Sequence, residues 1–145
     1  MIQLYVMVAV FQTKMLKLRG TNYSEVMDNA RRIFREIERK TKRHPYIRSP
    51  YFNKEKIFFD LFWSHLHEKK AKERYKRLKY FAAALELLRL NRNPPSSKPN
   101  PNKRTEILHR FTGMTKEKEI FYVQVKENTK THKKYFMSCF PDEKK

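Results

Sequence analysis

One C-terminal stretch, Thr105 to Pro141, includes His109, Arg110, Tyr122, Lys126 and Ser138, side chains able to handle protons or anionic oxygens. Together these types suffice for metal-free cleavage of RNA. The ribose 2′-hydroxyl supplies the nucleophile, and the protein needs only a general base, a general acid and cations for the developing charge. Each residue also has a plain structural use. His109 can hydrogen-bond at a sheet surface, Arg110 can pair with Glu106 or Glu119, and Ser138 can pack between Met137 and Cys139. Other chemistries lack their parts. His65 and His67 stand two apart on a helical pattern, so they point roughly 200° apart and cannot share one ion. With two glycines in the chain, Gly20 and Gly113, there is no P-loop and no Gly-rich nucleotide loop. The single cysteine, Cys139, allows neither an internal disulfide nor a Cys-based zinc site, and its strand setting suggests packing. No metal and no cofactor is expected. His65 falls inside an apolar helical arc and reads as a buried histidine. His67, at the edge of that arc, can reach a cleft.

The elements that would position these groups are strands. Three are expected, roughly Glu106–Thr112, Glu119–Lys126 and Lys134–Phe140, joined by polar turns at Gly113 with Lys116–Lys118 and at Asn128–Lys133. Short polar connections favour an antiparallel meander. In the second strand Phe121, Val123 and Val125 alternate with Tyr122, Gln124 and Lys126, so one face is apolar and the other can meet phosphates or bases. The sequence leaves open whether His109 or Arg110 shares that polar face.

Upstream, the pattern is mainly helical. Asn22 followed by Glu25 has capping-box spacing, and Val26, Ala30, Ile33, Phe34 and Ile37 fall on one face. The basic run Arg39–His44 follows, and Pro45 ends the helix. From Asn53 onward a second helix is expected, its apolar face made of Ile57, Phe58, Leu61, Phe62 and Leu66. It either breaks near Lys69–Lys72 or runs on into Ala71–Leu90. There Ala71, Tyr75, Leu78, Ala82 and Leu85 face inward, and Lys69, Lys72, Lys76 and Lys79 form a stripe suited either to phosphates or to solvent. The segment Asn91–Lys103 has four prolines and no apolar residue, which reads as a linker or long loop. The apolar start MIQLYVMVAVF is too short to span a bilayer and lacks the basic start and cleavage site of a signal peptide. It reads as a buried strand, with Met7 or Met15 as alternative starts.

A three-stranded sheet is marginal alone, so the helices must cover it. The expectation is one α+β domain: a helical half (1–91), a Pro/Asn-rich connection (92–104) and a small C-terminal antiparallel meander (105–145), with room for a fourth strand. The net charge is +19, from 34 Lys and Arg against 15 Asp and Glu. Such an excess implies a polyanionic partner, nucleic acid before an anionic membrane surface. Twenty aromatic residues add groups that stack on bases. Cysteine usage fits a reducing, cytoplasmic setting.

Helices followed by HRF-x-G, FYVQVKE and YFMSCFP strands resemble the toxin-type ribonucleases of the barnase/EndoU/colicin/RelE-like superfamily, and its phage- and toxin-associated branch in particular. The resemblance covers 105–141 best, with the preceding helices in outline. It implies metal-independent RNA cleavage, with tRNA or another structured RNA as substrate, on the face of the sheet. It also implies an acidic antitoxin or immunity protein as partner. It assigns catalysis to His67 (or His65), His109 or Arg110, and Ser138; the lysine stripe Lys69, Lys72, Lys76 and Lys79 and the polar strand face of Tyr122, Gln124 and Lys126, read from the pattern itself, are the candidates to bind the nucleic acid. The competing expectation is a basic RNA- or DNA-binding module without catalysis. Convergence of His109, Arg110 and Ser138 in one cleft favours the enzyme, and their scatter favours the module.

Overall fold

The computed structural model describes residues 10–143. In chain order the elements are β1 (Val10–Gln12), α1 (Tyr23–Lys40), β2 (Tyr46–Ser49), β3 (Glu55–Phe58), α2 (Phe62–His67), α3 (Ala71–Leu78), α4 (Phe81–Leu90), β4 (Ser96–Asn100), β5 (Lys103–Met114), β6 (Ile120–Asn128) and β7 (Lys134–Pro141). The strands form one seven-stranded mixed sheet in the order β1-β5-β6-β7-β3-β2, with β4 also on the free side of β5. β5, β6 and β7 are the expected antiparallel meander. β1 runs parallel to the end of β5, and β3 runs parallel to the start of β7.

The expected fold class is therefore corrected. The sheet is not a small C-terminal meander of three or four strands, because β1, β2 and β3 come from the half expected to be helical. The residues 53–58, expected to begin a helix, make a hairpin instead. Asn53 (φ 56°) and Lys54 (φ 65°) take left-handed conformations that turn the chain, and Lys54 N–H closes the loop onto the Ser49 carbonyl at 2.8 Å. Ile57 and Phe58 then pair with Lys134 and Tyr135 of β7. That partner lies more than seventy residues away in sequence, where local periodicity cannot reveal it. Only Phe62–His67 of the expected second helix is helical, and the chain does break before α3.

The segment read as linker carries β4, paired antiparallel with β5. An edge strand needs neither burial nor a full set of backbone donors. Pro99 is accordingly tolerated there, next to an irregularity in the pairing at Pro99/Asn100. Of the apolar start, Val10–Gln12 forms β1, and Val10 is 40 % exposed rather than buried. The remainder of that stretch lies outside the described residues.

α1 forms as its sequence dictates. Asn22 Oδ1 accepts from Glu25 N–H at 3.0 Å, while the Glu25 carboxylate reaches back to accept from Thr21 N–H and hydroxyl and from the Asn22 side-chain amide at 3.2 Å. Val26, Ala30 and Ile37 are buried, and Ile33 and Phe34 pack at their margin. The expected stretch Ala71–Leu90 breaks at Lys79–Tyr80. Tyr80 leaves the helical path to stack on Phe121, centroids 5.5 Å apart. The break lets α3 lie along β7 and α1, while α4, buried along most of its length, sits in the core.

All the fully buried strand side chains face this helical layer. Phe62 stacks on Phe136 with centroids 4.5 Å apart, and Phe59 and Phe81 close the cluster. Gly113 is required by packing: a Cβ there would lie 2.5 Å from Cζ of Phe121 and 2.8 Å from Leu87. Among the described residues no helix is long and apolar enough to cross a membrane.

Candidate active site

The pairing register sorts the polar residues onto two faces. His109 pairs with Val125, and Val125 with Phe136, so His109 lies on the helix-covered face. Arg110 pairs with Gln124, and Gln124 with Ser138, so these three share the outer face. A bulge in β7 makes this possible: Met137 is the extra residue, which puts Cys139 in the core and turns Ser138 outward. His109 therefore does not converge with Arg110 and Ser138.

His109 joins a different group. The alternation that buries Phe121, Val123 and Val125 carries Glu127 onto the same face at the end of β6. There five neighbouring strands each contribute one polar side chain to a row: Ser97, His109, Glu127, Lys134 and Glu55. Ser97 Oγ lies 2.7 Å from His109 Nδ1, and His109 Nε2 lies 2.7 Å from Glu127 Oε1. Lys134 Nζ donates to Glu55 and to the His132 carbonyl, and stands 3.9 Å from Glu127. Phe52 backs the row, its ring 5.2 Å from His109 and 5.0 Å from the Lys134 ammonium.

The sixth member comes from the β6–β7 loop. Asn128 Oδ1 accepts from Lys130 N–H at 2.9 Å and Thr131 N–H at 3.0 Å, which winds the loop tightly. His132 takes a left-handed φ of 62°, and its Nδ1 meets Glu127 Oε2 at 3.2 Å. Its side chain is 71 % exposed against 14 % for Glu127. A cleft of about 330 Å³ opens here, lined by Tyr51, Phe52, Asn53, Glu55, Glu127, His132 and Lys134. Three of the four left-handed non-glycine residues described, Asn53, Lys54 and His132, border or adjoin it. Backbone strain of this kind concentrates where a structure must hold a side chain in one place.

The electrostatics give the imidazoles different roles. Burial alone would raise the Glu127 pKa. Hydrogen bonds from His109 and His132 and the charge of Lys134 outweigh it and hold the carboxyl below its ordinary value. An ionised carboxylate only accepts, so both ring nitrogens facing it carry protons. In its neutral form His109 then takes the Ser97 hydroxyl proton bond on Nδ1, leaving neither nitrogen free. His132 is held through Nδ1 alone, which leaves Nε2 for another molecule. This is the carboxylate–imidazole arrangement that fixes a tautomer for proton transfer.

The other expected residues lie elsewhere. Arg110 is exposed, with Nη2 3.5 Å from Gln124 Oε1. Neither expected carboxylate pairs with it, since Glu106 takes Lys126 (2.9 Å) and Lys103 (3.4 Å), and Glu119 takes Lys17 (2.9 Å). Lys126 is thus committed to a buried Glu106, whose pKa is lowered: burial pushes it up, but Lys126 and Asn100 pull it further down. Ser138 is buried and accepts from Arg77 Nη1 at 2.7 Å. His67 ends α2, exposed, outside the cleft. His65 is half-buried beside Glu68, and burial, then Lys69, lowers its pKa. Burial pushes the Cys139 thiol up, which keeps it protonated. The lysine stripe is interrupted. Lys69 precedes α3, Lys72 is exposed, Lys76 pairs with Glu143 at 3.0 Å, and Lys79 caps the helix over the Tyr75 ring.

Glu127, His132, Lys134 and Ser97 were not singled out by sequence. Extending the alternation of β6 by two residues reaches Glu127. His132 sits in a turn by every local criterion, and only the folded hairpin brings it to the carboxylate. Among the described residues no group of three or more His, Cys, Asp or Glu is arranged to hold a metal ion. No protein-family model, curated protein or solved structure matches the chain.

Proposed function

We propose that the protein is a metal-independent endoribonuclease whose reacting group is His132. The observation that carries this reading is the Glu127–His132 pair: an ionised, largely buried carboxylate orients an exposed imidazole and leaves Nε2 open to a cleft on a chain of net charge +19. In the reaction Nε2 takes the proton of a ribose 2′-hydroxyl as the 2′-oxygen attacks phosphorus. The P–O5′ bond breaks, and the 5′-oxygen leaves with a proton from the imidazolium or from water. The products are a 2′,3′-cyclic phosphate and a 5′-hydroxyl end. Lys130 and Lys133, in the same loop, supply cations for the phosphate. His109 is a positioning residue in this scheme, since it orients Glu127 and does not meet substrate.

The reading goes with RNA as partner, a cytoplasmic setting and an acidic inhibitory protein, in keeping with the toxin-ribonuclease resemblance. A second reading, the non-catalytic nucleic-acid-binding module, is favoured by one observation: His109 lies on the opposite face of the sheet from Arg110 and Ser138. A cleavage assay on total RNA with EDTA present separates the two. The ribonuclease yields fragments ending in cyclic phosphate, and His132→Ala loses them while retaining RNA binding. Intact RNA that is still bound leaves the module.

A further inference from the structure

We propose that the outer face of the sheet is a stacking platform for unpaired bases of single-stranded nucleic acid, centred on Arg110, Tyr122 and Phe140. The inference rests on the nucleic-acid reading above, but it uses no residue of the cleft.

Tyr122 and Phe140 are cross-strand partners, with ring centroids 5.6 Å apart and tilted by 45°. The Arg110 guanidinium lies 5.5 Å from the Tyr122 centroid and 5.2 Å from that of Phe140. A second guanidinium, Arg77, lies 5.2 Å from Phe140 and is fixed by Ser138 and by Glu73 at 3.3 Å. Although β5, β6 and β7 are interior strands, Tyr122, Gln124 and Phe140 remain partly exposed and Arg110 is exposed. Beside Arg110, Gln124 offers an amide able to meet a base edge, and Ser96, Lys98 and Leu108 complete a shallow depression toward β4.

The charges select the occupant. Cations break up the apolar surface, and an apolar partner protein would have to strip their water. A base instead stacks on a ring or on a guanidinium plane, while the same guanidinium meets the adjoining phosphate. The acidic groups described on this face are largely engaged: Glu106, beyond Leu108, is held by Lys126 and Lys103. Glu73 is engaged by Arg77, Glu143 by Lys76, and Asp142 borders Tyr122. Among the described residues Arg110 has no carboxylate partner, and Lys98 lies on its other side, so the phosphates run toward β4 and away from Asp142.

The test is fluorescence anisotropy with a labelled DNA octamer, which has no 2′-hydroxyl and so cannot be cut by the chemistry above. Tyr122→Ala and Arg110→Ala should each weaken single-strand binding about tenfold or more, with little change for duplex. Tyr122→Phe keeps the ring and should bind as wild type, which also shows that the face remains folded. Arg110→Lys should keep the salt dependence but not the affinity. His132→Ala should bind normally. A wild-type protein that ignores the octamer, or a Tyr122→Ala variant that binds it equally well, overturns the platform. Octamer binding lost in these variants, with RNA left intact by the wild type, upholds the platform and rejects the ribonuclease.

Discussion

His109 and Arg110 are neighbours in the chain, yet they serve opposite faces of one sheet, and those faces are built on different terms. The covered face is dry, aromatic and closely packed, and at its open end the packing gives way to a network in which nearly every charge has a partner. The outer face is wet and carries rings and guanidiniums with few constraints. The first arrangement holds one proton-transfer group in one geometry. The second suits a ligand that varies along its length. The comparison teaches that a basic protein's cations are not interchangeable: Lys126 neutralises the buried Glu106 and Lys134 stands against Glu55 and the largely buried Glu127, whereas Arg110 is available to a partner.

If stability resides in the covered face, substitutions on the two sides must differ sharply. Phe136→Ala removes a ring packed against Phe59, Phe62 and Phe81, and should cost about 3–5 kcal/mol in chemical denaturation. Tyr122→Ala, on the other side, should cost roughly 1 kcal/mol or less. Equal losses would show that the outer face is also core. Gly113→Ala forces a methyl into Phe121 and Leu87 and should cost about 1–3 kcal/mol by the same measurement.

Acid should weaken the covered face. The folded-state pKa of Glu127 lies below that of the unfolded chain, so its contribution is complete above about pH 4.3 and is lost as pH falls through the folded value. Denaturation midpoints should therefore drop in that acid window, and Glu127→Gln should flatten the drop. Asn22→Ala should cost about 1 kcal/mol by removing the cap of α1, with no effect on either face.

The meander and α1 were legible because their signals are local: alternation in β6, capping at Asn22, and short polar turns. The rest depended on partners distant in sequence. Ile57 and Phe58 fit a helical stripe as well as a strand, and it is β7 that decides. Ser96–Asn100 has no strand composition, yet β5 had an unpaired edge to offer. For the site, His109 was recognisable as a candidate by type, but its facing was not. Arg110 and Ser138 were recognisable as polar candidates, with their convergence on His109 left open; a bulge at Met137 and the parity of β5 send them to the other face. Glu127 was not singled out, although extending the alternation of β6 reaches it. Nor was His132, since a loop residue acquires its role only when the hairpin closes.

The central claim is that His132, oriented by Glu127, transfers the proton in RNA cleavage, and the most direct test measures cleavage and binding on the same preparations. Wild type, His132→Ala, Glu127→Gln and Arg110→Ala are incubated with total RNA and a tRNA pool in EDTA, and fragment ends are mapped. The account predicts 2′,3′-cyclic phosphate ends from wild type. It predicts a rate loss of about 10²–10⁴-fold in His132→Ala with binding intact, and a smaller loss in Glu127→Gln. Arg110→Ala should be impaired only through affinity. Intact RNA with wild type, or full cleavage by His132→Ala, would contradict it.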